Sequence, residues 1–298
     1  MRMAPITTPA QAVEAFAAVD HHPDPGLSRH AGPNVACLPL TIEIGGLPIR
    51  LRAPDAAFRA LLAGRYSSFL RPNSRAEMEF ELHSAAPDPL GTDQELEVGC
   101  EQGRWQLSRG DFRAGFDLHT RRGQLSFVPN PYSVDTLLRI VHSLLLAPAG
   151  GLLLHASGGI RGGRGVLFSG VSGAGKTTLA RLAPPDVQLL TDEISYLRRE
   201  AGEFRVYGTP FSGELGIQGE DVSAPLGAIH LIEHGAANRL ERVPEAEAVR
   251  RLMRNTLFFA REKRLVADVF STVCELARRV PVYRLEFVPD ARVWEMLA

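Results

Sequence analysis

Residues 152–182 read LLLHASGGIRGGRGVLFSGVSGAGKTTLARL. The second half is an apolar strand, a glycine-rich turn and the start of a helix, in that order. Gly170, Val171, Ser172, Gly173, Ala174, Gly175, Lys176 and Thr177 fit the Walker A pattern G-x-x-x-x-G-K-[ST], and Thr178 continues into the helix. Glycines let backbone N–H groups turn inward around phosphate oxygens, and the helix start adds its positive dipole. In such a P-loop the lysine, Lys176, reaches the β- and γ-phosphates, and the Thr177 hydroxyl ligates Mg²⁺. The first half is a second apolar strand carrying His155. GIRGGR joins the two strands, and so short a connection requires antiparallel pairing, because a parallel neighbour needs a crossover. The expected fold is therefore α/β with a mixed sheet, its P-loop strand entering from a hairpin. The same hairpin sets the end of LLLHA opposite the start of VLFSG. On that reading it does not by itself bring His155 to the phosphates.

Downstream, VQLLTDEISYL is an apolar strand ending in two acids, Asp192 and Glu193. Such a strand is expected to return beside the P-loop strand with its end at the phosphates, where α/β sheets bind ligands. Mg²⁺ takes hard oxygen donors, so Thr177 with Asp192 or Glu193 makes a candidate metal set. The other carboxylate suits the role of accepting a hydroxyl proton. Either acid suits either role. YGTPFSGELG (207–216) gathers Gly, Pro and Ser around one acid, and Ser212, Gly213 and Glu214 form a candidate substrate loop. Arg250, Arg251, Arg254, Arg261 and Arg264 are candidate charge-stabilising arginines, each also readable as a solvated helical face. His230 and His234 flank a strand segment about 13 Å apart, too far for one metal.

Upstream, LTIEI, Gly45-Gly46 and LPIRL read as a hairpin. PDAAFRALLAG reads as a helix with Pro54 near its start and Gly64 past its end. Alternating apolar residues from Ala76 to Leu118 give a mostly antiparallel, β-rich domain over 35–128. Residues 9–19 read as a short amphipathic helix and 21–32 as a connector. Asn130-Pro131 opens a helix with an apolar stripe. The domain boundary falls there: 1–129 is the smaller β-rich N-terminal domain, for which substrate capture and oligomer contacts both fit, and 130–298 is the nucleotide-binding domain. Toward the end, GAIHLIEH and VPVYRLEFV read as strands, and PEAEAVRRLMRNTLF, ADVFSTVCELARR and DARVWEML as helices.

Composition bounds the function. The 298 residues carry a formal net charge of −1 at pH 7, so nothing global steers the chain to nucleic acid or to an anionic membrane. No apolar run approaches the roughly 20 residues needed to span a bilayer. The N-terminus has no sustained apolar h-region, and Cys37, Cys100 and Cys274 show neither metal spacing nor a disulfide framework. A reducing, cytoplasmic setting is expected. The only lysines are Lys176 and Lys263, and one of them sits in the glycine-rich turn. The Asn-Lys-x-Asp motif of Ras-like GTPases and the Leu-Ser-Gly-Gly-Gln signature of ABC ATPases are absent.

Taken together, GVSGAGKTTL, the upstream His-Ala-Ser-Gly strand and LLTDEISYL resemble the superfamily of HPr kinase/phosphorylase and ATP-dependent phosphoenolpyruvate carboxykinase. GTPFSGE and VPVYRLEFVPDARVW resemble more narrowly the HPr-kinase-related proteins that include lasso-peptide serine kinases. The resemblance covers about residues 130–298. The relatives carry Asp-Asp where this chain has Asp192-Glu193. The resemblance implies an HPr kinase-like P-loop domain, ATP with Mg²⁺, and a functional Asp192. It also implies that His155 contacts transferred phosphate or helps proton transfer. The expected activity is that of an ATP-dependent kinase acting on a serine or threonine hydroxyl of a peptide or protein, or on a small hydroxylated molecule. A non-catalytic ATP-binding sensor is the alternative, and a homo-oligomer is left open.

Overall fold

The computed structural model describes residues 38–86, 95–216 and 218–297. The helix expected over 9–19, the connector over 21–32 and Cys37 lie outside the described residues. The chain is mixed α/β, built mostly of strands in two mixed sheets. The described residues divide into two compact units: those up to Glu43 with those from Leu47 to Thr136, and Ile44–Gly46 with those from Leu137 onward. Among the described residues no helix is long and apolar enough to cross a membrane.

The first unit holds β1 (Leu40–Ile44), β2 (Leu47–Arg52), helix α1 (Ala56–Arg65), β3 (Met78–Ser84), β4 (Glu97–Glu101), β5 (Arg104–Arg109), β6 (Phe112–Asp117) and β7 (Arg122–Phe127). The strand order is β1-β2-β3-β7-β6-β5-β4. Gly45 and Gly46 take φ of 56° and 74°, the left-handed region a tight hairpin turn demands. The α1 cap is Asp55, whose carboxylate accepts from the Phe58 N–H at 2.8 Å. Gly64 lies inside the helix rather than past its end, and Arg65 closes it. The expected antiparallel pattern holds for β4 through β7, while β3 runs parallel to both β2 and β7. The reason is α1, which carries the chain back between β2 and β3 as a crossover. Alternation sends Phe80, Trp105 and Phe116 into the core. On the opposite face Arg50, Glu79, Arg122, Asp117 and Arg104 form one cross-strand row of alternating charge. Neighbouring opposite charges stabilise such a row locally and leave no single-sign field.

The second unit takes most of α2 (Pro131–Leu146), which Asn130 caps by accepting from the Ser133 N–H at 3.0 Å. Its strands are β8 (Gly151–Arg161), β9 (Arg164–Ser169), β10 (Gln188–Thr191), β11 (Ile194–Glu200), β12 (Glu203–Tyr207), β13 (Ser223–His234), β14 (Arg239–Arg242), β15 (Thr256–Leu257) and β16 (Val282–Phe287). Helices α3 (Lys176–Arg181), α4 (Glu245–Asn255) and α5 (Lys263–Arg279) and a closing 3-10 segment, Ala291–Leu297, complete it. The closing helix read from DARVWEML takes this 3-10 form. It is pinned by the Trp294 indole N–H, which donates to the Leu179 carbonyl at 3.1 Å.

β8 and β9 form the expected antiparallel hairpin, and β9 is parallel to β13, which is parallel to β16. One expectation fails: β10, the strand that leads to Asp192, pairs with β8 and not with β9. A strand has two edges, and those of β9 are taken by β8 and β13. One core cluster joins Leu252, Val269, Val273 and Leu276 to Leu154, Leu167, Ile229 and Leu231 of the strands. A second gathers Phe168, Leu179, Ile232, Phe287 and Trp294. At roughly 25 cal/mol per Å² of apolar surface removed from water, these clusters are what holds the glycine-rich turn in place.

Candidate active site

The turn after β9 is shaped by what its glycines touch. Gly175 sits at φ 103°, and a Cβ there would lie 2.5 Å from the Phe287 ring. A Cβ on Gly170 would lie 2.8 Å from Ile232 and 3.0 Å from Ala174. Gly173 takes φ 77° in open space. Val171, Ser172 and Gly173 are exposed, Ala174 and Lys176 are buried, and Thr177 and Thr178 are half-buried in the first turn of α3. The Lys176 ammonium donates to the carbonyls of Gly170 (2.9 Å) and Val171 (3.1 Å), folding the side chain back over the loop. Burial pushes its pKa down to about 8, while Glu193 and Glu214 oppose the shift.

His155 is brought to this loop by the register of the hairpin. The turn is only Gly162-Gly163, both at positive φ, so β8 runs on to Arg161 and Ala156 pairs with Ser169, the last residue of β9. His155 therefore stands level with the end of β9, not with its beginning as the hairpin alone implies. The Ser169 hydroxyl donates to the His155 carbonyl at 3.1 Å. His155 is also where β8 changes partners: up to it the strand pairs with β11, and beyond it with β9 and β10. Burial, then the charges of Lys176 and Arg139, lower its pKa to about 3, so the imidazole is neutral at physiological pH.

The two acids sit in the bend between β10 and β11. The Thr191 hydroxyl accepts from the N–H groups of Glu193 and Ile194, both at 3.1 Å, and the Glu193 carbonyl accepts from the Ala156 N–H at 3.0 Å. Asp192 is 4% exposed, and its carboxylate accepts from the N–H groups of Gly213 and Leu215, each at 2.8 Å. Asp192 thus holds the 211–215 loop against the acids. In that loop Ser212 and Gly213 are half-buried and Glu214 is exposed. Glu193 pairs with Arg139 of α2 at 2.9 Å.

Arg139 was missed from sequence. It lies 54 positions before its partner, on a helix whose apolar stripe dominates the reading. Its guanidinium also stacks over Phe211 at 5.1 Å. His234, set aside as a metal ligand, bonds the carbonyl of Gly173 at 2.8 Å. His230 is buried, stacked between Phe168 and Tyr283. Arg251 forms surface pairs with Glu233 and Glu247. Among the described residues no group of three or more His, Cys, Asp or Glu side chains is arranged to hold a metal. Mg²⁺ bound through phosphates asks for fewer protein ligands, one or two carboxylates with waters. Thr177, Asp192 and Glu193 are donors of the hard oxygen type it takes.

A family model described as "ScmC: SynChlorMet cassette protein ScmC" matches residues 132–298, more than half of the chain. The chain belongs to the ScmC family. That family is named apart from the HPr kinases to which the motifs pointed. No curated protein matches the chain. Among solved structures, the HPr(Ser) kinase/phosphatase from Coxiella burnetii is similar at 12% identity, over 40% of this ScmC-family chain and 87% of that one, with a TM-score of 0.23.

Proposed function

We propose that this ScmC-family protein is an ATP-dependent phosphotransferase that moves the γ-phosphoryl group to a hydroxyl of a peptide, a protein or a small molecule. The observation that carries the reading is the register of β8 on β9. It brings a neutral histidine level with the start of a lysine-bearing glycine loop, in one electrostatic neighbourhood with Glu193.

In this reading Lys176 and the loop N–H groups, from Gly170 to Thr178, bind the triphosphate. Thr177 and one of Asp192 and Glu193 hold Mg²⁺, which neutralises charge on the phosphates when bound. The other carboxylate takes the acceptor proton as the acceptor oxygen bonds to the γ-phosphorus and the bond to the β-bridging oxygen breaks. ADP leaves with that bridging oxygen. His155, neutral, donates a hydrogen bond to the moving phosphoryl group. Ser212, Gly213 and Glu214 line the acceptor's approach. The gain comes from positioning and charge complementarity rather than covalent chemistry.

The family description speaks of a cassette protein, so the peptides and proteins encoded alongside are the first acceptors to try. Incubation with γ-labelled ATP and Mg²⁺ should move label onto an acceptor, located by mass spectrometry. Tight nucleotide binding with label released only by slow hydrolysis, across those acceptors and a hydroxyl-metabolite panel, would leave the ATP sensor as the better reading.

A further inference from the structure

We propose that Arg139 is the positioning residue of this site, acting through Glu193 and joining that acid to the 211–215 loop. The inference rests on the phosphotransferase reading and deepens it. Three contacts carry it. The Arg139 guanidinium bonds the Glu193 carboxylate at 2.9 Å. It stacks on the ring of Phe211, a fully buried side chain at the root of the loop. The loop in turn is anchored on the neighbouring acid, through Gly213 and Leu215 to Asp192.

The two acids are therefore held in different ways. Asp192 is bound by backbone N–H groups, which are fixed once the loop is folded. Glu193, the proton-accepting acid of the two in this proposal, is oriented by a side chain that itself leans on the loop. The Arg139 and Glu193 side chains are only 9% and 13% exposed, so water competes poorly for either and the pair is strong enough to fix a rotamer. A planar guanidinium meets a carboxylate with a defined direction, and an ammonium does not. An acceptor that presses on the loop moves Phe211, and through Arg139 it moves Glu193. The loop and the acid become one mechanical unit.

The experiment measures transfer of label from γ-labelled MgATP to the acceptor that takes it in the assay above, with the full chain. Arg139→Gln should lower kcat by about a hundredfold, the scale of a misplaced catalytic group, and leave KM for MgATP within about twofold. Arg139→Lys should recover part of that loss. In a Glu193→Gln background, Arg139→Gln should lower kcat by less than about threefold more, because the residue it acts through is already disabled. If Arg139→Gln does not fold, the same cycle is run with Arg139→Lys, which keeps the charge. Full additivity of the two losses, or a loss carried by KM, overturns the proposal and leaves the phosphotransferase reading standing. A wild-type protein that binds MgATP but passes label to none of the cassette-encoded acceptors or hydroxyl metabolites overturns that reading, and the proposal with it.

Discussion

Lys176 offers the sharpest test of the proposed phosphate-binding turn, because its burial makes nucleotide affinity depend on pH between about 7 and 9. Burial lowers its pKa from 10.5 to about 8. An ammonium facing phosphates returns toward its ordinary value or above, since opposite charge favours the charged form. The apparent affinity then scales with the fraction of the free protein in which Lys176 is protonated. That fraction is about 0.9 at pH 7 and about 0.1 at pH 9, so Kd for an ATP analogue with Mg²⁺ should rise about tenfold between them. Titration calorimetry at constant ionic strength measures the Kd. Repeating it in buffers of different ionisation heat counts proton uptake, which should approach about one proton per nucleotide at pH 9. Lys176→Arg keeps its charge throughout, so its Kd, whatever its size, should stay flat. The interfering histidine is silent, because His155 is neutral well below this range. A wild-type Kd that is flat from pH 7 to 9, or no proton uptake at pH 9, would refute the reasoning. Folding stability carries the opposite sign. The unfolded chain binds the proton more tightly than the folded one, so stability should rise as pH climbs from about 8 to 10.5.

Acid should weaken the fold early. His142, His155 and His230 are held neutral by burial, with pKa values of about 3, 3 and 4. Below about pH 6.5 the unfolded chain gains protons that the folded chain refuses, so stability falls with pH, by up to about 4 kcal/mol per unit for the three together. Urea midpoints at pH 7 and 5.5 check this, and equal midpoints would contradict it. Gly175→Ala places a methyl against Phe287 at a left-handed φ and should cost about 1–3 kcal/mol in thermal unfolding while weakening nucleotide binding. Asp192→Asn should keep nucleotide affinity within a few fold but lose transfer by at least about a hundredfold. It should also speed amide exchange at Gly213 and Leu215, since an amide offers only one acceptor oxygen. Unchanged exchange would remove its anchoring role.

Much of the local structure was legible in the chain. Gly45-Gly46 announced a hairpin because only left-handed turn residues close one so tightly. Asn130 announced a helix because its side chain replaces a missing backbone partner, and Gly170 to Thr177 announced a phosphate-loop pattern. In each case neighbouring residues carry the whole physical cause. The long-range pairings were not legible in the same way. The partner of β10 was misassigned because edge occupancy belongs to the whole sheet. The parallel placement of β3 depended on where α1 returned the chain. Arg139 gave no signal at all, since its partner Glu193 is far along the sequence and meets it only when α2 packs beside the acids.

The sequence alone therefore determined that a strand, a glycine loop and a helix follow one another after a hairpin, with two acids at the end of a later strand. Tertiary structure decided where those parts stand. The two-residue turn at Gly162-Gly163 let β8 run past His155, and that register raised the histidine to the mouth of the loop. A three-residue turn in the same sequence would slide every pair on the ladder by about one residue and carry His155 away from its place opposite the end of β9. Register is a cooperative property of paired strands, set by turn geometry and by the packing of both faces.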